Sequence, residues 1–128
     1  MDVIILNYLS YQMKNVELEN SKAFKIIDTV QYLPNSVVIK SILKKNTGTI
    51  SAVSFDSGEV LIGKISPFET LIQIIDGKSE VIIDDKSNLL ENGQSIIIPA
   101  HIKNTIKANV RFKMISTIIK SGYDEVSL

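Results

Sequence analysis

Ile and Val make up a quarter of this 128-residue chain and recur in short runs separated by turn-forming residues. β-branched side chains favour strands, because their restricted χ1 angle suits the pleated surface of a sheet. Nine runs either alternate apolar and polar residues or are continuously apolar: 36–44, 48–56, 59–65, 68–76, 78–84, 87–91, 94–99, 104–108 and 111–120. Turn residues recur about every 8 to 12 positions, which is typical of a β-sandwich or barrel. The sequence therefore predicts an all-β domain.

Three turns have recognisable local chemistry. Asp76-Gly77 lies between two apolar runs and predicts a tight hairpin, since Gly tolerates the positive φ that such a turn needs. Asp84-Asp85-Lys86 and Asn92-Gly93 mark the next two reversals. Together these turns predict that three consecutive strands form a meander.

Composition excludes several classes of function. Lys plus Arg equals Asp plus Glu at 14 each, so the chain lacks the basic excess of a nucleic-acid-binding protein. Arg111 is the only Arg, which also excludes base readout by several guanidinium groups. There is no Cys, so disulfides and thiolate zinc sites are impossible, and His101 alone cannot form a multi-histidine metal site.

The amino-terminal region predicts no membrane segment. The apolar run that begins the chain is too short for a signal peptide, and Asp2 stands where such a peptide carries positive charge. No run approaches the roughly 18 apolar residues of a transmembrane helix. We therefore expect a soluble cytoplasmic protein that does not bind membranes.

Residues 1–22 differ in character from the rest of the chain. Ile4, Ile5, Leu9 and Met13 fall roughly on one helical face, so this segment is either a short helix or a strand added to a neighbour's sheet. We divide the chain into an extension, 1–22, and a barrel domain, 23–128. A sheet protein of this size has edges that pairing would cover, so we expect a homodimer in which the extension is exchanged.

Two motifs resemble those of the cupin superfamily. The first cupin motif is Gly, five residues, His-x-His, three or four residues, Glu, six residues, Gly; Gly58 and Gly77 match its two ends. The second is Gly, five residues, Pro-x-Gly, two residues, His, three residues, Asn; Gly93 and Pro99 match its start. The resemblance covers about 24–120 and is to the small single-domain conserved-barrel cupins. It implies a jelly-roll β-barrel, also called a double-stranded β-helix, with a short amino-terminal extension.

The metal ligands of the family do not carry over. Lys64 and Ser66 occupy the two His positions of the first motif, Thr70 the Glu position, and Asn104 the His position of the second motif. Transition metals at such sites require imidazole or carboxylate ligands. We therefore expect no metal and no other cofactor.

Two ionisable residues near these positions are candidates for chemistry. His101 could act as an acid or base at the barrel mouth, since histidine titrates near neutral pH, but a loop histidine without a chemical role is the favoured interpretation. A desolvated Lys64 could act as a base or a Schiff-base nucleophile. We favour a Lys64 that reaches the barrel mouth and pairs with Glu69 or with water.

Four polar residues could line a pocket inside the barrel: Ser66, Thr70, Gln73 and Asn104. The surrounding interior would be apolar, formed by Ile72, Ile74, Ile96, Ile98 and Met114. Such an interior suits a modest apolar ligand and equally suits a filled barrel.

The leading hypothesis is a metal-free cupin that binds a small molecule or regulates through it, with Lys64, Ser66, Glu69, Thr70, His101 and Asn104 around the pocket. One alternative is a metal-independent isomerase or lyase acting on a small polar substrate. Another is a structural or interaction module whose barrel is filled by its own side chains.

Overall fold

The computed structural model describes residues 18–120, which form eight strands and one short 3-10 helix, Ile26–Thr29. The strands are β1 (Val37–Lys45), β2 (Gly48–Phe55), β3 (Val60–Gly63), β4 (Thr70–Ile83), β5 (Lys86–Glu91), β6 (Ser95–Ile98), β7 (Asn104–Lys107) and β8 (Phe112–Ile119). The predicted all-β jelly-roll barrel is confirmed.

The strands form two antiparallel sheets that share β4. In the first sheet the order is β1, β2, β8, the first half of β4, and β6. In the second sheet the order is β3, β7, the second half of β4, and β5. The two sheets curl around a common interior, so alternate residues on each strand point into the barrel.

β4 passes from one sheet to the other at Asp76-Gly77, where we predicted a hairpin. That prediction is wrong, and so is the meander, because 68–76 and 78–84 belong to one strand. A β-bulge separates the pairs Ile74↔Met114 and Asp76↔Lys113. Gly77 follows it at φ +78 and pairs with Phe112. A glycine with positive φ bends the strand here instead of reversing it.

The turn at Asp84-Asp85 is confirmed. Both residues have positive φ, at 50° and 67°, and Ile83 pairs directly with Lys86. Two consecutive residues in this conformation define the tight turn whose twist matches a hairpin. The Asn92-Gly93 reversal is also present, with Gly93 at φ +90, but the strands on either side of it pair with β4 and not with each other.

One end of the barrel is filled by aromatic packing. Phe55 and Phe112 are fully buried and stack with ring centroids 4.5 Å apart. Ile74 and Val81 join them in the same buried cluster. Farther along β8, Met114 belongs to this core, whereas Ser116 and Ile118 are only half-buried. The interior of the barrel is therefore less tightly filled toward the end of β8.

The segment before β1 covers part of the outer surface of the first sheet. Val30 is fully buried there in a second cluster with Val38, Ala52 and Ile115. Tyr32 Oη donates a hydrogen bond of 2.7 Å to Asp76. This segment therefore packs against the outside of the barrel at its filled end.

The predicted helical face of 1–22 lies outside the described residues, and the boundary at residue 22 stays a prediction. Residues 18–22 form turn and coil before the 3-10 helix. Between residues 18 and 120, no helix is long and apolar enough to span a membrane.

Candidate functional site

A cavity of about 320 Å³ lies between the two sheets, toward the end of the barrel opposite the Phe55–Phe112 stack. Its wall is mainly apolar, formed by Ile39, Val53, Leu61, Phe68, Ile72, Ile98, Pro99, Ile102, Ile106, Met114 and Ile118. Seven further residues of the described chain also line it: Ser51, Gly63, Lys64, Ser66, Thr70, Asn104 and Ser116. An apolar cleft with a few polar groups is the usual form of a small-molecule site.

Strand alternation places polar groups inside the cavity. Thr70 and Ile72 point inward from β4, and Met114 and Ser116 point inward from β8. Gln73 lies between inward-facing residues and is exposed, so its predicted place in the pocket is wrong. Ile74 and Ile96 pack in or against the filled core and do not line the cavity.

Sequence analysis missed two serines of the wall. Ser51 precedes the inward-facing Val53 by two positions, and Ser116 follows Met114 by two. The period-two pattern of β2 and β8 was therefore a sufficient signal for both residues.

The mouth of the cavity is built where β3 ends and β7 begins. Gly63, the last residue of β3, pairs with Asn104, the first residue of β7. The Asn104 side chain lies so close to Gly63 that a Cβ at position 63 would overlap its amide. Glycine thus allows the Asn104 amide to lie across the backbone at the rim.

Ser66 and His101 connect the two loops at this mouth. Ser66 Oγ accepts a hydrogen bond of 3.0 Å from the backbone N–H of Phe68. The backbone N–H of His101 donates one of 2.6 Å to the carbonyl of Ser66. His101 has φ +64, which explains why the second cupin motif has Gly at this position. The His101 backbone therefore positions the loop, while its side chain is exposed.

Of the six predicted site residues, the structure brings four to the cavity: Lys64, Ser66, Thr70 and Asn104. Two lie elsewhere. His101 is not part of the cavity wall, and Glu69 lines a separate hollow of about 560 Å³ on the outer surface, beside Leu71, Ile97 and Ile119. Among residues 18–120, Lys64 and Glu69 do not form an ion pair.

Of the described residues that line the cavity, Lys64 alone is ionisable. The marked pKa shifts in the described chain belong to groups outside it. One of these groups is Asp56, near the filled end, where hydrogen bonds from Arg111 and from the backbone N–H groups of Asn35 and Ser57 lower its pKa to about 2. Asp56 has a structural role, because it ties the segment before β1 to Arg111.

The four residues at the metal-ligand positions of the motifs do not fit a transition metal. A protonated Lys64 repels cations, and Ser66 and Thr70 offer neutral hydroxyl groups. The Asn104 amide donates a long hydrogen bond of 3.4 Å to the Ile102 carbonyl. In the described part of the chain, no group of three His, Cys, Asp or Glu residues could hold a metal ion.

Comparison with solved structures identifies similar folds. A conserved protein of unknown function from Streptococcus pyogenes superposes with a TM-score of 0.77 at 23% identity, covering 83% of this chain and 93% of that one. A cupin superfamily protein from Desulfitobacterium hafniense gives 0.76 at 23% identity, covering 82% and 96%. A cupin 2 conserved barrel domain protein from Leptotrichia buccalis gives 0.73 at 26% identity, covering 76% and 47%.

No protein-family model matches the sequence, and no curated protein matches it. The structural similarities confirm the resemblance to the cupin superfamily that the two motifs indicated. The described residues form one domain with the fold of these cupins.

Proposed function

We propose that this cupin domain binds a small molecule in the cavity between its two sheets, and that it does so without a transition metal. The cavity carries this proposal: its volume of about 320 Å³ lies near the lower end of the range typical of ligand sites. Hydroxyl and amide groups interrupt its apolar wall at a few points. Such an arrangement can orient a small ligand while burying most of its surface.

Two observations support binding over the alternatives. A barrel with only a structural role would be expected to fill its interior to the density of a protein core, as the Phe55–Phe112 end does. A metal-independent isomerase or lyase needs an acid or base within hydrogen-bond reach of its substrate. His101 lies outside the cavity wall, and Lys64 is exposed at the mouth, away from the buried interior where a substrate would be held.

The binding half of the proposal can be tested with benzene as an apolar probe and the ¹³C methyl resonance of Met114 as the reporter. Met114 lines the cavity and is 2% exposed, so a shift of its resonance reports occupation of the interior. We expect the shift to saturate with benzene concentration. Ser116→Phe should fill the cavity and abolish the shift, whereas Ser95→Phe, at an exposed position on β6, should preserve it. An unresponsive Met114 methyl in the unmodified protein would refute binding.

The metal half is tested by thermal unfolding with added manganese, iron, nickel or zinc. A bound ion stabilises the native state by about 2.7 kcal/mol at a hundredfold excess over its dissociation constant. We expect no rise in Tm, since Lys64, Ser66, Thr70 and Asn104 do not form a ligand set. A saturable rise that disappears in Asn104→Ala would overturn this half of the proposal.

A further inference from the structure

We infer that the ligand of this cavity is a small amphipathic anion: a carboxylate on an apolar body of about six to ten carbons. The inference rests on the proposed function and adds the chemical class of the ligand. Three properties of the cavity lead to it: its size, its single charge and the donor character of its mouth.

The volume sets the size of the apolar body. A cavity of about 150 Å³ lined by aliphatic and aromatic side chains is enough to hold benzene. The present cavity is about 320 Å³, roughly twice that size. A body of six to ten carbons therefore fits, whereas a nucleotide or an oligosaccharide would leave most of its polar surface against Ile and Met side chains.

The charge of the wall is one-sided. Among residues 18–120, Lys64 is its only ionisable residue, and no carboxylate in that range lies within ion-pair distance of the Lys64 ammonium. An anionic ligand would gain a charge-assisted hydrogen bond at the mouth. A cationic ligand would meet a like charge, with no compensating acid among the described residues of the wall.

Two polar groups that line the cavity with Lys64 can donate hydrogen bonds. Ser66 Oγ already accepts the N–H of Phe68, which leaves its hydroxyl hydrogen to donate. The Asn104 side-chain NH₂ makes one long contact of 3.4 Å to a carbonyl, so a second hydrogen is available. A cavity wall that holds a cation, a hydroxyl donor and an amide donor suits the two acceptor oxygens of a carboxylate.

The polarity of the cavity also fixes the orientation. Ile72, Met114 and Ile106 line the interior, whereas Lys64 is exposed at the mouth beyond the end of β3. The apolar body would therefore point toward the Phe55–Phe112 core and the carboxylate toward solvent. This orientation keeps the charge partly hydrated and buries the carbons.

The test compares three ligands of equal chain length: octanoate, octanamide and octylamine. Binding is measured by calorimetry, with the Met114 methyl resonance as the reporter of location. We expect octanoate to bind about five- to tenfold more tightly than octanamide, and octylamine to bind most weakly. The preference for octanoate should shrink between about 0.05 and 0.5 M NaCl, because salt screens an exposed pair.

Lys64→Met should bind octanoate and octanamide equally, since it keeps an apolar side chain at the mouth and removes the charge. The matched control is Lys86→Met, which removes an exposed lysine on β5 away from the cavity and should keep the preference.

Equal binding of octanoate and octanamide by the unmodified protein would overturn the anion inference and leave the binding function standing. A preference that persists in Lys64→Met would also overturn it. If benzene moves the Met114 resonance and none of the three octyl ligands does, the anion inference alone is overturned. If benzene and all three octyl ligands leave the resonance unchanged, the proposed function fails as well.

Discussion

Gly77 is the residue at which β4 changes sheet, and its replacement by alanine gives a sharp test of the fold. Gly77 has φ +78, and a Cβ there would overlap the Arg111 carbonyl oxygen and lie 3.0 Å from Phe112 Cβ. The left-handed conformation costs a non-glycine residue about 1–2 kcal/mol. Displacing the packed β8 backbone adds about 1–3 kcal/mol, the usual cost of overpacking. We therefore expect Gly77→Ala to lower the free energy of unfolding by about 2–5 kcal/mol.

Gly93→Ala is the matched control. Gly93 has φ +90, but a Cβ there would have no atom within 4 Å. Gly93→Ala should lower the free energy of unfolding only by the conformational cost, about 1–2 kcal/mol. Alanine also lowers the entropy of the unfolded chain, but this effect is common to both variants and cancels when they are compared. Urea unfolding at equilibrium measures both free energies, and unchanged m values would show that the unfolded states are comparable. Equal losses in the two variants would refute the argument that β4 bends against β8 at Gly77.

Three further predictions concern the surface of the domain. Asp56→Asn should lower stability near pH 6, and its difference from the unmodified protein should vanish as pH falls from about 4 toward 2. The reason is that the hydrogen bonds that lower the pKa of Asp56 stabilise the fold only while its carboxylate is ionised. A pH-independent difference in urea midpoint would contradict this prediction. His101→Asn should leave Tm and octanoate affinity unchanged, because asparagine tolerates the same positive φ and keeps the backbone N–H bonded to Ser66; a large change in either would assign the imidazole a role. We expect the unmodified protein to sediment as a homodimer at micromolar concentration. Ile97→Lys should dissociate the dimer, because Ile97 and Ile119 are 58% and 68% exposed on an apolar outer surface. A monomeric unmodified protein would refute the pairing.

Local sequence signals predicted strands well where turn chemistry and alternation agreed. The run 48–56 matches β2, which spans Gly48–Phe55, and the turn at Asp84-Asp85 has the expected positive φ values. The local signals gave a wrong prediction at Asp76-Gly77, because a glycine with positive φ occurs in β-bulges as well as in hairpin turns. The distinguishing fact is the pairing of Gly77 with Phe112, a contact between residues far apart in sequence.

The candidate site was predictable where a motif fixed the position of a residue. Lys64 and Asn104 occupy motif positions and reach the cavity. Glu69 and His101 are neighbours of motif positions, and the loop and strand geometry there directs them away from the cavity wall. Ser51 and Ser116 carry no motif, and only the alternation of their strands identifies them.

The position of β8 in the first sheet has a consequence for how the chain reaches this structure. β8 lies between β2 and β4, yet it follows both in sequence, and the pair Phe55↔Phe112 joins strands separated by most of the domain. During synthesis, the edges of β2 and β4 that pair with β8 therefore remain unpaired until β8 has left the ribosome. Open edges of Ile- and Val-rich strands readily pair with other chains. A nascent or truncated chain that stops before β8 should therefore depend on chaperones, and its refolding from denaturant should be slow because so much of the sheet depends on non-local pairing.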